Sequence, residues 1–383
     1  MTFDGLKRKW VEAFTPWKRE LKEAQCREKE IFQCSGTIIE SVNSYSIILT
    51  SASLFRCSTS GNSIADNIKV IVHLFDGRSF DGQIESYDLH YNVAAVKIQS
   101  ETALPIASLA HLSDSITINP SQLRIIALGR FYAKPYGITA APGEFWLVFS
   151  FDFSFIAYLI VIIDRCDDDL ECKELLKATC NIMRCGIGGP LINRYGEVIG
   201  ICFYDPGSIA FLPINIASIW WEHYKKYRQS RRPWLGMEVT NLYAARLRIL
   251  EIIISKFPDV LKGVIVEEVL PGSSAESAGI KHNDVIIQFG GKRIQSFLEL
   301  FETMWNNVGE SVELVVIRTS HDVPVHLSMV VEEVTSDKLY SWPHWEIAYI
   351  VSSFAPEYIQ LTCNVMISKQ FVALVMTSRK SSN

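Results

Sequence analysis

The sequence predicts a mainly β protein: two successive strand-rich blocks, then a smaller α+β unit. Short β-branched runs separated by Ser, Asn, Asp and Gly recur from Phe32 to about Pro213. Beyond Trp234, strand-like runs alternate with helical stretches such as SFLELFETMWNNVG. At 383 residues the chain is long enough for two or three domains with ordinary cores.

Each element can be justified in order. Residues 1–31 open as MTFDGLKRKW and run through KRELKEAQCREKEIF, charged throughout and without the apolar stretch of a signal peptide. Leu6 to Phe32 reads as a solvated helix whose Trp10, Phe14 and Trp17 pack on the body, and cytosol or nucleus is the default compartment. The first block, residues 32–100, holds CSGTIIES, SYSIILTSASLF, IKVIVHLFDGRSFDGQIESYD and NVAAVKIQ, with a hairpin expected at Asp76-Gly77. The second, residues 104–220, holds LRIIALGRF, RCGIGGPLINRYGEVIGI and IAFLPINIA, with a turn at Arg194-Tyr195-Gly196. WWEHYKKYRQSRRP reads as a helix leading into a basic linker at 221–233. The third unit spans 234–334, and the tail, 335–383, matches no module.

Composition excludes some functions. A net charge of −5 gives no general attraction to nucleic acid. The nine cysteines are scattered, and Cys166, Cys172, Cys180 and Cys185 lack the C-x₂₋₄-C pairs that zinc usually takes. They read as reduced, buried thiols, so neither a metal nor a cofactor is expected. The apolar run FWLVFSFDFSFIAYLIVII, residues 145–163, approaches the roughly 20 residues of a membrane span. Asp152 near its middle would cost about 3 kcal/mol there, and a span would split one β-domain across a bilayer. Two buried strands are the favoured reading over a membrane helix; a stretch outside the native coding sequence stays open for this run and for the tail.

Three motifs in order, followed by a fourth signature, carry a resemblance. SGTIIESVNSYSIILTSAS, YDLHYNVAAVKI and CGIGGPLINRYGEVIGI resemble the strands, the D-x-x-x-D-L-A-V-L-K-I run and the G-N-S-G-G-P-L loop of the HtrA/Do-like (DegP-like) serine proteases. LPGSSAESAGIKHNDVIIQFGGKRI resembles that family's PDZ domain, with Gly272, Gly279 and Asp284 shaping turns and Ala275 and Ala278 packing a short helix. The resemblance covers about residues 32–334 and implies a chymotrypsin-like double β-barrel followed by a PDZ domain. Degenerate Do-like proteins of plants are the most similar in pattern.

Carried over residue by residue, the family's histidine base falls on Ser53, its aspartate on Asn92 and its serine nucleophile on Ile187. None can do that work: isoleucine cannot attack a carbonyl, and a serine hydroxyl cannot take a proton near neutral pH. Losing one triad member typically costs about 10⁴ to 10⁶ in turnover. Backbone N–H groups around Gly186, Ile187 and Gly188 remain as a residual oxyanion loop. A rebuilt Cys185–His90 pair beside Asp88 is conceivable, but a packed thiol and a loop histidine are preferred.

The resemblance further implies a carboxylate-binding loop at Leu235, Gly236 and Met237, with a pocket formed by Phe297, Leu300, Phe301 and Met304 on one helical face. The alternative is that this face is core. Arg231 and Arg232 either add charge near the carboxylate or are solvated linker residues. The expected function is a protease homologue that has lost catalysis and binds peptides or protein C-termini; the resemblance implies a homo- or hetero-oligomer, with the trimer common in the family. The alternatives are an active endopeptidase, through a rearranged site or a hetero-oligomer, and the product of a decaying gene.

Overall fold

The structure, a computed structural model, describes residues 30–56, 64–65, 68–112, 124–131, 136–145, 147–150, 160–163, 172, 174–205, 208–229, 231–335, 363–367 and 370–380. The first block folds as β1 (Glu30–Cys34), β2 (Gly36–Ser41), β3 (Tyr45–Ser51), β4 (Ile68–Leu74), β5 (Ser79–Asp88) and β6 (Val93–Gln99). The second holds β7 (Arg124–Arg130), β8 (Ile138–Glu144), β9 (Leu147–Ser150), β10 (Ile160–Ile163), β11 (Leu176–Ala178), β12 (Pro190–Asn193), β13 (Val198–Asp205) and β14 (Ser208–Pro213). Strand position decides the burial pattern. β6, hydrogen-bonded on both sides by β5 and β3, is buried along most of its length. β8, at the end of its sheet, alternates exposed with half-buried residues.

The hairpin at Asp76-Gly77 forms: the Gly77 N–H donates to Leu74 O (3.0 Å) and the Leu74 N–H to Arg78 O (2.8 Å). The turn at Arg194-Tyr195-Gly196 forms likewise, closed by the Gly196 N–H on Asn193 O (3.0 Å). The N-terminal helix cannot run to Phe32, because Glu30–Cys34 is a strand; the rest of that expectation lies outside the described residues. Within the apolar run, β9 and β10 pair antiparallel, from Ile160↔Ser150 to Ile163↔Leu147. Among the described residues no helix is long and apolar enough to cross a membrane.

Pro213, which cannot continue a strand ladder, leads directly into α1 (Ile214–Tyr227). This helix buries Ile216, Ala217, Trp220 and Trp221 and packs back on the first block. There the Trp221 indole donates to Glu40 (2.9 Å) and the Tyr224 hydroxyl to the Glu85 carbonyl (2.6 Å). The third unit contains β15 (Pro233–Trp234), β16 (Met237–Asn241), α2 (Leu247–Lys256), β17 (Val264–Val269), α3 (Ser274–Ser277), β18 (Val285–Phe289), β19 (Lys292–Arg293), α4 (Phe297–Asn306), β20 (Ser311–Ile317), β21 (Val325–Val330) and β22 (Glu332–Glu333). Its sheet runs β16-β17-β18-β20-β21, with β19 on β18, so β16 is an edge strand. Asp284 is fully buried and fixes the turn before β18. It accepts the Lys281 N–H (2.9 Å) and both Nε and Nη2 of Arg318 (2.8 and 2.7 Å). Ser296 caps α4 by accepting the Glu299 N–H, while the Glu299 carboxylate reaches back to the Gln295 N–H (2.9 Å).

The tail does not stand apart. β23 (Cys363–Ile367) and β24 (Gln370–Lys380) pair with each other, and β24 enters the first sheet between β1 and β4. Its register runs Leu374↔Leu74 to Lys380↔Ile68 on one side and Cys34↔Met376 on the other, both antiparallel. The resulting order is β1-β24-β4-β5-β6-β3-β2. Shortening the chain after residue 362 would leave β1 and β4 as open edges, which pair readily with other strands. The shortened chain is expected to unfold at lower denaturant and to self-associate in size-exclusion chromatography with light scattering. A monomer of unchanged unfolding midpoint would refute this placement of β24.

Candidate functional site

The three positions of interest come from different elements that the fold brings to one place. Ser53 lies in the single helical turn after β3, Asn92 in the turn between β5 and β6, and Ile187 in the loop before β12. Asn92 takes a left-handed conformation (φ 51°), which Asn tolerates better than most residues, and is almost wholly buried. Its Oδ1 accepts the Ser51 hydroxyl (3.0 Å), the Ser53 hydroxyl (3.0 Å) and the Ser53 N–H (2.9 Å). Its carbonyl accepts the Ala52 N–H (3.0 Å). The side-chain oxygen is therefore saturated by neutral donors. No basic group takes part in this cluster.

The loop carrying Ile187 leans on the first block. The Ser35 N–H donates to Ile187 O (2.7 Å), and the Ser35 hydroxyl donates to Cys185 O (2.5 Å). Gly188 (φ +72°) must be glycine, since a Cβ there would sit 2.8 Å from both Ser51 N and Thr50 Oγ1. Ile187 itself is half-buried against the core. Two of the three N–H groups expected in the residual oxyanion loop of Gly186, Ile187 and Gly188 are engaged within the fold. The Gly186 N–H is taken by Met183 O and the Gly188 N–H by Cys202 O, each at 2.8 Å.

The Cys185–His90 pairing does not form either. Cys185 is buried against Thr139 (Sγ–Oγ1 3.7 Å), and burial pushes its thiol up. His90 instead faces Glu174 (Nε2–Oε2 3.8 Å), whose other neighbour is the Cys172 thiol (3.4 Å). Burial alone would raise Glu174, but His90 and then Arg232 outweigh it and hold the carboxyl at about 2. Burial drives the Cys172 thiol well above its ordinary value.

Sequence reasoning missed the role of Arg232. It is buried, its Nη2 meets Asp88 Oδ2 at 2.5 Å, and its guanidinium lies 4.3 Å from the Tyr91 ring centre. Burial would lower it, yet Asp88 holds it above its usual value. Asp88 Oδ1 also accepts the N–H groups of His90 and Tyr91 (2.9 and 3.0 Å), fixing the turn that ends at Asn92. Arg231 pairs with Glu333 (2.9 Å). Both arginines of the linker are thus engaged in ion pairs, and Arg232 is no solvated linker residue. A run of two arginines in a linker carries no local signal of such burial.

The peptide-binding candidates divide. Gly236 (φ +66°) packs so closely that a Cβ would lie 2.6 Å from Ser273 Cβ, and its carbonyl accepts the Leu270 N–H (2.9 Å). Leu235 is half-buried, Met237 is buried, and β16 follows at the end of its sheet. On α4, however, Phe297 is only 4% exposed, and Leu300, Phe301 and Met304 are fully buried. That face is core. Phe297 stacks on Phe301 (5.8 Å), Phe301 meets Trp305 edge-on (5.5 Å), and Trp305 reaches Tyr91 (5.8 Å) and His223 (6.0 Å).

Residues 34–201 match the trypsin-like peptidase domain, and residues 265–318 match the PDZ domain. The chain is a homologue of the Do-like, DegP and HtrA proteases. It is 33% identical to the Do-like 14 protein of Arabidopsis thaliana over 79% of this chain and 65% of that one. It is 28% identical to the periplasmic serine endoprotease DegP of Salmonella typhimurium over 77% of this chain and 56% of DegP. This HtrA homologue therefore spans somewhat under two thirds of the curated relatives it matches. A solved HtrA-type protease, AlgW with a tripeptide, aligns with 79% of this chain and 89% of its own at 21% identity and a TM-score of 0.49.

Arg232→Met would strand Asp88 as an unpaired buried charge and is expected to destabilise the protein by about 3–5 kcal/mol. Adding Asp88→Asn should recover part of that loss, because the remaining partner is then neutral. Urea unfolding of the wild type, both single variants and the double variant checks the sign of the coupling. Equal and additive losses would mean that the pair does not interact.

Proposed function

We propose that this HtrA homologue no longer cleaves peptide bonds and acts by binding extended peptides or protein C-termini. The observation that carries this reading is the saturation of Asn92 Oδ1 by three neutral donors, two of them from Ser53, at the position where the family's base would stand. Proton removal from a nucleophile needs a base within hydrogen-bond reach and a group that orients it. Ser53 and Asn92 supply neither, and Ile187 offers nothing to activate. The experiment is a casein or peptide-cleavage assay on purified protein with fluorophosphonate labelling in parallel. Neither turnover nor labelling is expected; turnover abolished by Cys185→Ala or Ser53→Ala would overturn the reading.

Binding rests on β16. β16 ends its sheet, the position at which an extended peptide adds as a further strand, and the left-handed turn at Gly236 just before it resembles the family's carboxylate loop. The homology also favours oligomers, with a trimer as the reading carried from the family. Because α4 gives its apolar face to the core, side-chain selectivity must be modest, and affinity must come chiefly from main-chain pairing. Gly236→Ala strains a left-handed position and collides with Ser273. It is therefore expected to weaken binding of C-terminal peptides, measured by fluorescence polarisation against a peptide library. Undiminished binding would move the site away from this loop.

A further inference from the structure

Outside the degenerate triad, the described residues contain a second cluster of side chains that could perform chemistry. His90, Cys172 and Glu174 each present a donor atom, and the three donors lie within 4.8 Å of one another. Two of the separations are 3.4 Å (Cys172 Sγ to Glu174 Oε2) and 3.8 Å (His90 Nε2 to Glu174 Oε2). A tetrahedral zinc ion with bonds of about 2.0–2.3 Å sets its donors about 3.3–3.7 Å apart, close to the two separations that involve Glu174. We propose that His90, Cys172 and Glu174 form a site for one divalent zinc-like ion, linking the β5–β6 turn of the first block to the segment before β11 in the second.

Two further observations point to a ligand here. The Tyr91 hydroxyl is fully buried, has no hydrogen-bond partner, and is electrostatically coupled to Glu174 and Cys172. A water filling the fourth metal position would give it the partner it lacks. The charges also balance. Asp88 and Glu174 bring two negative charges and a metal-bound thiolate a third, while Arg232 brings one positive. The remaining two negative charges match one divalent cation. Imidazole, thiolate and carboxylate together suit zinc better than magnesium or calcium, which prefer all-oxygen shells. Binding displaces the Cys172 proton to solvent and requires a neutral His90 ring, so uptake releases protons and tightens as pH rises. No pair of closely spaced cysteines announces the site, because its ligands are a Cys-x-Glu pair and a histidine about eighty residues earlier.

The test uses the full chain, purified without chelator. Elemental analysis and zinc titration against a chromophoric chelator should give one equivalent per chain. Cobalt substitution should give a thiolate-to-cobalt charge-transfer band. Cys172→Ser should abolish that band, and Cys172→Ser and Glu174→Gln should each weaken zinc binding by more than the about 10–100-fold typical of losing an outer-shell partner. Zinc should also raise the thermal midpoint of the wild type and leave His90→Ala unmoved. Wild-type protein that takes up no stoichiometric zinc overturns the proposal, as does zinc binding that survives both substitutions. The wild-type measurements decide the matter even if a variant does not fold.

Discussion

The ion pair between Asp88 and Arg232 joins three parts of the molecule. Asp88 ends β5, its carboxylate orders the turn leading to Asn92, and Arg232 belongs to the linker entering the PDZ unit. Burying two charges carries a large desolvation cost, repaid only where geometry is close and the remaining valences are used. Here Asp88 uses both oxygens, while Arg232 spends Nη2 on Asp88, lays its guanidinium against the Tyr91 ring face and leaves Nε and Nη1 without a hydrogen bond among the described residues. Tyr91 then meets Trp305 of α4, so the charge pair and the aromatic contact hold the same junction. Asn215 reinforces it from α1, bonding Leu112 of the second block and Glu302 of α4. A turn that positions the catalytic aspartate in active relatives by resemblance is, in this chain, anchored to the next domain.

The two candidate sites differ in local geometry. At the triad the backbone frame is retained: Gly188 still presses on Ser51 and Thr50, and the Ile187 carbonyl still receives Ser35. The side chains at the three aligned positions are a hydroxyl, an amide and an aliphatic group. At the PDZ unit β16 ends its sheet while the helix opposite serves packing.

Much of this was legible in the residues because glycine, proline and strand periodicity are local signals. The hairpin at Asp76-Gly77, the turn at Gly196 and the buried Asp284 each follow from short stretches whose geometry few other residues could adopt. Motif order alone pointed to Ser53, Asn92 and Ile187 as the positions of interest. What could not be read depends on partners distant in sequence. Arg232 looks like a linker charge until Asp88 is placed beside it. The α4 face, apolar at helical spacing, reads equally as pocket or core until Trp305 is seen against the first block. The cluster of His90, Cys172 and Glu174 joins residues from two blocks and has no spacing to recognise.

The position of β24 carries a consequence for how the chain is made. Domains usually fold as they emerge from the ribosome, the N-terminal one first, at about 5–20 residues per second. Here the first sheet lacks an interior strand until Gln370–Lys380 has been synthesised. With roughly 280 residues separating β6 from the end of β24, that wait amounts to about 15–60 seconds of translation. During this interval β1 and β4 have unpaired edges, and contacts so distant in sequence form slowly even after release. A cell making this protein therefore has a strong reason to keep the nascent first barrel shielded by chaperones until the last residues arrive.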